Sequence, residues 1–398
     1  MNRRVPRAAN LDRVSTPFPT GTPALHQRRP SIFTTLLWVA VIVVLISTGL
    51  LSLLAITQEI GILGAVTGSV LAAVPVFPVI ATFLWLDRYE AEPPSLLALA
   101  FAWGAGVSTF GALVINTASL VAIRNAGGDM THAAVFVAPF VEEAFKGLAV
   151  VLILLMRRRE FDGVVDGIVY AGMSGIGFAY VENVLYLGRT LADDGTGGGT
   201  LFVFLLRCVV SPFAHPLFTA AIGVGVGVAV RAKNPLVKVF APIAGYLVAV
   251  LLHGVWNWSA SSGLAGFAAA YAVLQLPVFI AFISLALLAR RREGKLVAQH
   301  LDIYGQTGWL TQAEVAMLAS LPARREARDW AMRTGGTSAR RAMRDFQEMG
   351  SELAFLRERM ARGTAAPDAA NTEYAVLATL SALRDRFLPR PHPGPPAP

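Results

Sequence analysis

The sequence predicts an all-α polytopic membrane protein with about eight transmembrane helices and a small cytosolic helical tail. Three observations predict it. Hydrophobic residues make up 55% of the 398 and charged residues only 15%, against about 25% charged in soluble domains; the mean hydropathy is +0.55. Between Ile32 and Ala289 the chain falls into eight apolar segments, each long enough for the ~20 residues that a bilayer crossing needs. Basic residues gather in alternate connections, and the composition turns polar after Arg292.

In chain order, residues 1–30 form a Pro-, Thr- and Arg-rich lead that is expected to be disordered and cytosolic. The first apolar run begins only after it, which reads as an uncleaved anchor rather than a removed signal peptide. The spans are expected at about 32–56, 61–86, 95–123, 133–156, 164–187, 200–230, 236–258 and 264–289, within a transmembrane domain at 31–290. Arg3, Arg4, Arg7, Arg13, Arg28 and Arg29 precede the first span. Arg157, Arg158 and Arg159 follow the fourth, Arg231, Lys233 and Lys238 flank the sixth-to-seventh turn, and Arg290, Arg291 and Arg292 follow the eighth. The intervening turns carry little positive charge, so both termini are expected in the cytoplasm. The turn Asp87-Arg-Tyr-Glu90-Ala-Glu92-Pro-Pro94 is placed inside by parity alone. A helical appendage is expected at 291–388, with a capping box at Thr311 and Glu314 and a first-turn Pro322. The end at 389–398 is Pro-rich and expected to be disordered. The single cysteine, Cys208, excludes an intrachain disulfide. No cluster of basic and aromatic residues points to nucleic acid.

The stretch Pro139-Phe-Val-Glu142-Glu143-Ala-Phe-Lys146-Gly147 sets two carboxylates and an ammonium inside the apolar run Ala133 to Met156. A charge at mid-span costs at least ~2.5–3.5 kcal/mol on insertion scales, so such residues mark function or a packing ion pair. Lys146 lies within helical pairing reach of both glutamates. In the fifth segment, Glu182 and Asn183 must face protein or a wet cavity. In the sixth, Arg207, Ser211, His215 and Thr219 recur every four residues on one stripe, and Pro212 opens the backbone among them. The seventh ends His253-Gly-Val-Trp256-Asn257-Trp258, with His253 and Asn257 on one face and the tryptophans suited to an interfacial belt. Counted from the outer ends, Glu143 lies roughly 15 Å deep, and Glu182 and His253 less than about 10 Å. His215 comes out near 22 Å, too deep for a tidy cluster unless its span tilts or protrudes.

Carboxylates and imidazoles in a partly dry cavity suit peptide-bond hydrolysis. Such a set can hold Zn²⁺, which lowers the pKa of bound water toward ~7, with a glutamate as general base. A metal-free mechanism, with histidine and asparagine stabilising the oxyanion, fits the same residues. No His-Glu-x-x-His and no Gly-x-Gly-Asp is present, which sets aside the helical zinc motif and an aspartyl pair. Gly172-Met-Ser174-Gly175 matches a rhomboid-type serine motif with His253 as base, although close helix packing explains the same glycines. A scaffold, or a carrier with the glutamates as a proton relay, is the competing class.

The motifs in this order resemble the PrsW family of intramembrane proteases, relatives of the CAAX-processing and bacteriocin-processing membrane proteases. The resemblance runs from Asp87 to Asn257: Asp87-Arg-Tyr-Glu90-x-Glu92-Pro93, Glu142-Glu143-x-x-Lys146, Gly177-Phe178-Ala-x-x-Glu182-Asn183, a mid-span His215, and His253-x-x-Trp256-Asn257. It implies a multi-pass protease of the bacterial inner membrane that cuts a membrane-anchored protein near its outer face, with anti-sigma factors as the substrate type. It implies a site of Glu142, Glu143, Glu182, His215 and His253, under a metalloprotease label. On this reading Glu143 is the general base, and Glu142 pairs with Lys146 or assists. His215 and His253 hold Zn²⁺ or donate to the oxyanion, Glu182 is the third ligand or an orienting residue, and Lys146, Asn183 and Asn257 support them. The partners are then a membrane-anchored protein substrate and the lipid bilayer. The acidic turn at Asp87 is a mark of the family whose chemistry the residues do not give, and the tail lies outside the resemblance.

Overall fold

The structure, a computed structural model, describes residues 32–158, 161–194 and 198–388; the lead at 1–30 and the end at 389–398, both expected to be disordered, lie outside them. Among the described residues the architecture is all-helical. The order begins with α1 (Ile32–Leu86). Then α2 (Pro94–Trp103) runs through a π-helical turn, Gly104–Ser108, into α3 (Thr109–Asn125). A short α4 (Met130–His132) and a π-turn, Ala133–Val137, lead into α5 (Ala138–Met156). Next come α6 (Val164–Asp194), α7 (Gly198–Phe204) with a π-turn at Leu205–Val210, α8 (Ala214–Arg231) and α9 (Pro235–Ser261). The last part holds α10 (Gly263–Ala270), a π-turn at Tyr271–Gln275, α11 (Leu276–Gln306), α12 (Gln312–Leu318), α13 (Leu321–Arg362) and α14 (Ala369–Phe387).

Six of the described helices are long and apolar enough to cross a membrane. The difference from the eight expected segments has two causes. The first two segments are fused in α1, whose helical path breaks at Gly61 with φ 72 and ψ 169, a conformation that favours glycine. The chain turns back there, because Val41 before it and Val79 after it join one core cluster. The fourth segment is the helix α5, whose Glu142, Glu143 and Lys146 lower its apolar character. Large side chains such as Leu63, Phe77, Leu155 and Val273 stand more than 70% exposed, an apolar surface too extensive for water and suited to lipid.

α6 is the axis of the bundle. It packs against α1, α2 and α8, and α9 closes on α8. Its glycines let neighbours approach to backbone contact. A Cβ on Gly175 would fall 2.7 Å from Pro216 Cα and 2.9 Å from the His215 carbonyl, and one on Gly172 would strike the Phe83 ring at 2.2 Å. Gly172-Met-Ser174-Gly175 is therefore a packing surface. Ser174 is fully buried and donates to the Lys146 carbonyl at 3.0 Å.

The sixth segment is not one straight helix. Its helical path stops at Ser211, φ −131, and restarts at Ala214. Pro212 and Pro216 cause this, since neither supplies an N–H and each ring clashes with the preceding turn. His215 thereby stands in the first turn of α8.

The tail begins inside a helix. α11 passes Arg290, Arg291 and Arg292 without interruption, so the expected boundary at 290/291 falls mid-helix. The tail core centres on Leu301, Leu318, Phe346 and Leu353, and Tyr89 from the turn after α1 joins it. The capping box at Thr311 and Glu314 is present. The acidic turn is the knot between the two bodies. Asp87 Oδ2 accepts the Glu92 N–H at 2.7 Å, the Tyr170 hydroxyl donates to Glu92 Oε2 at 2.5 Å, and the Tyr89 hydroxyl donates to the Ala319 carbonyl at 3.0 Å. Arg324 closes the knot by donating to the Tyr89 and Leu318 carbonyls.

Candidate active site

Four helices meet at one height. Counted from the basic ends at about 1.5 Å per residue, Glu143 stands about 20 Å up α5, His215 about 24 Å up α8, and Glu182 and His253 about 27 Å up α6 and α9. The deep position expected for His215 disappears because the break at Ser211 to Phe213 reroutes the segment above it.

Glu143 is fully buried and saturated. Its Oε1 lies 2.5 Å from Lys146 Nζ and 2.9 Å from His253 Nδ1. Its Oε2 accepts the Thr219 hydroxyl at 2.9 Å. Lys146 is 3.8 Å from Glu142, 3.3 Å from His215 Nδ1 and 4.1 Å from the centre of the Phe178 ring. The spacing leaves Lys146 within reach of both glutamates; the ammonium stands closer to Glu143 than to Glu142, because His253 and Thr219 fix the Glu143 carboxylate toward it.

Glu142 is held differently. Asn116 Nδ2 donates to its Oε1 at 3.1 Å. Its Oε2 is buried without a hydrogen-bond partner and lies 3.6 Å from His253 Nε2. Glu182 lies 2.7 Å from His215 Nε2 and is gripped by Arg207, whose Nε also donates to Asn183 Oδ1 at 2.7 Å. The two imidazole centroids are 5.0 Å apart and nearly perpendicular. All five expected site residues thus converge.

The metal-ligand grouping differs from the expected one. Glu142, His215 and His253 each offer a ligand atom, and the three atoms lie within 4.8 Å of one another. Glu142, and not the expected Glu182, stands in this group; the Glu182 carboxylate is engaged by Arg207. The residues fit a cation. An orphaned carboxylate oxygen faces two imidazoles, and the acids Glu142, Glu143 and Glu182 outnumber the fixed cations Lys146 and Arg207.

Supporting residues are placed unevenly. Asn183 steadies Arg207. Asn257 does not reach His253; it donates to the Ala134 carbonyl at 2.8 Å and so braces the π-turn at the head of α5. Ser174 finds no base, because His253 faces Glu142 and Glu143. Asn116 is the residue that sequence reading missed. Its signal was an amide in the apolar run of the third segment, where a polar side chain needs a partner.

Comparison with known proteins finds relatives over the part of the chain that carries this cluster. The family model described as "PrsW family intramembrane metalloprotease" matches residues 92–282, which hold the whole site and exclude α1 and the tail. Protease PrsW of Oceanobacillus iheyensis is 32% identical over 165 residues, 41% of this chain and 69% of that protein. Protease PrsW of Clostridioides difficile is 28% identical over 189 residues, 46% and 76% of the two chains. That of Bacillus subtilis is 27% identical over 184 residues, 46% and 78%. No solved structure matches the chain. With the motif order, the buried acid and imidazole cluster and these relatives in agreement, the chain belongs to the PrsW family of intramembrane proteases.

Proposed function

We propose that this protease hydrolyses a peptide bond of a membrane-anchored protein, near the membrane face opposite its basic helix ends, with an anti-sigma factor as the substrate type. The positive-inside pattern supports a bacterial inner-membrane location with both termini cytoplasmic. The observation that carries the chemistry is Glu142 Oε2, which among the described residues accepts no hydrogen bond and is approached only by Lys146 Nζ at 3.8 Å and His253 Nε2 at 3.6 Å. A buried carboxylate oxygen without a hydrogen bond is costly, and a water or a divalent metal relieves it. Glu142, His215 and His253 would hold the metal, and Zn²⁺ suits their oxygen and nitrogen donors. When bound it would supply a Lewis acid that lowers the pKa of water toward ~7.

The chain's own residues act as follows. Glu143 holds His253 through Nδ1 and leaves Nε2 turned toward Glu142, the arrangement by which an outer carboxylate fixes an imidazole. Lys146 and Thr219 hold the Glu143 carboxylate still. Arg207 and Asn183 hold Glu182 against His215. Where a water rather than a metal occupies the site, Glu142 Oε2 is the acceptor for the proton of the attacking water, and the proton passes on to the leaving amide nitrogen. This gives Glu142, rather than Glu143, the role of base.

The test is Glu142→Gln in reconstituted protein carrying a membrane-anchored reporter. Cleavage should fall ~10²–10⁴-fold while uncut reporter still co-purifies. A scaffold would keep its function in this variant, and a carrier would lose pH-dependent transport with no product at any stage. Cleavage at the native rate overturns the assignment.

A further inference from the structure

A cavity of about 2240 Å³ lies between the basic ends of the spans and the tail helix α13. It exceeds the ~300–1,000 Å³ usual for small-ligand pockets. Its lining has two characters. Toward the membrane it is apolar, with Leu84, Val151 and Leu155 among its residues, and these side chains are themselves exposed. Toward the tail it is cationic. Arg158, Lys233 and Lys238 stand on the span ends, Arg88 on the knot, and Arg340 on α13.

Among the described residues, eleven Arg and Lys line the cavity against seven Asp and Glu, Glu352 and Asp368 among them, so the walls carry a cationic excess. Arg231, Arg359 and Arg362 are paired with Glu358 or Asp162, and Arg344 with Glu348. Arg88, Arg158, Lys233, Lys238 and Arg340 have no carboxylate partner among the described residues. Burial, and then repulsion from Asp162 and Asp166, pushes the Glu90 carboxyl well up, which weakens it as a counterion. Burial, and then the charges of Arg88 and Arg340, hold the Arg328 guanidinium below the usual arginine range. Docking the tail therefore brings like charges together across a space that opens onto apolar side chains.

We propose that this cavity binds an anionic phospholipid, with the headgroup phosphate among Arg88, Arg158, Lys233, Lys238 and Arg340 and the acyl chains against Leu84, Val151 and Leu155. An amphiphile is the one class of ligand that meets both halves of the lining. Basic pockets beside spans bind such headgroups, at roughly 1 kcal/mol per basic residue near the surface, or about fivefold in affinity. The lipid would serve as the counterion that joins tail to membrane body.

The test uses full-length protein in neutral detergent, loaded from mixed micelles of phosphatidylcholine with phosphatidylglycerol or cardiolipin, and read by native mass spectrometry and thermal melting. Wild type should retain anionic lipid after washing and melt higher with it than with phosphatidylcholine alone. Lys233→Gln/Lys238→Gln and, separately, Arg340→Gln should lose about fivefold in retention for each charge removed. Arg333→Gln/Arg341→Gln, on exposed tail positions outside the cavity, should match wild type. Equal retention in all variants overturns the proposal. So does equal stabilisation by inorganic phosphate, which would make this a soluble-anion site, and so does displacement of the lipid by an acidic peptide at equal concentration.

Discussion

At the scale of residues, the centre is a buried ammonium shared unequally between two acids. Lys146 and Glu143 are both fully buried, so neither can recruit water if its partner is removed. Breaking such a pair from one side typically costs 3–5 kcal/mol, whereas replacing both partners costs far less. Lys146→Met should therefore lower the melting temperature sharply, and Glu143→Gln/Lys146→Met should recover most of the loss while remaining inactive, because His253 has lost its charged anchor. A neutral Lys146→Met single variant would show that the pair does not carry the site. The Glu-Glu-x-x-Lys spacing made the cluster legible in the sequence, since three charges in an apolar run demand an explanation. The choice between Glu142 and Glu143 was not legible. Both lie within helical reach of Lys146, and the decision comes from Thr219 and His253 on two other helices. Asn116 escaped for the same reason, because its bond to Glu142 exists only through packing of α3 on α5.

At the scale of elements, two glycines and two prolines set the geometry. Hydropathy revealed the eight apolar segments, because bilayer length and composition are properties of a stretch alone. The reversal at Gly61 and the register of α6 against α8 depend on backbone contact, which no composition encodes. Pro212 marked the break in the sixth segment, yet its effect on the height of His215 needed the direction of α8. Gly175 offers the sharpest test of this level. A side chain there must push against Pro216 Cα and the His215 carbonyl, and overpacking of this kind costs ~1–3 kcal/mol. Gly175→Val should leave the protein folded and inserted but separate Glu182 from His215, with cleavage reduced more than tenfold, about the effect of 1.4 kcal/mol on a barrier. Native cleavage by a stably folded Gly175→Val protein would mean that the α6 to α8 distance does not govern the site.

At the scale of the whole molecule, the acidic turn joins the membrane body to the tail by carboxyls kept away from water. Burial, reinforced by the neighbouring Asp166, pushes Asp87 up to about 8. Burial, then Asp166 and Asp87, pushes Glu92 up to about 11. Both are thus protonated in the folded protein at neutral pH, whereas the unfolded chain has released these protons above about pH 4. The folded state holds more protons in that window, so stability falls as pH rises. For Asp87 the loss runs from about pH 4 and is complete once pH passes its folded value near 8; Glu92 extends the decline further. This is opposite in sign to a salt-bridged carboxylate, and it explains why so many acids at one turn need not repel. Asp87→Asn keeps an oxygen to accept the Glu92 N–H and has no proton to lose. It should flatten the decline in melting temperature between about pH 6 and 8 relative to wild type, with proteolysis of α13 at high pH slowed in step. An unchanged slope in Asp87→Asn, or wild-type stability that rises across this range, would show that the knot is held by ionised carboxylates instead.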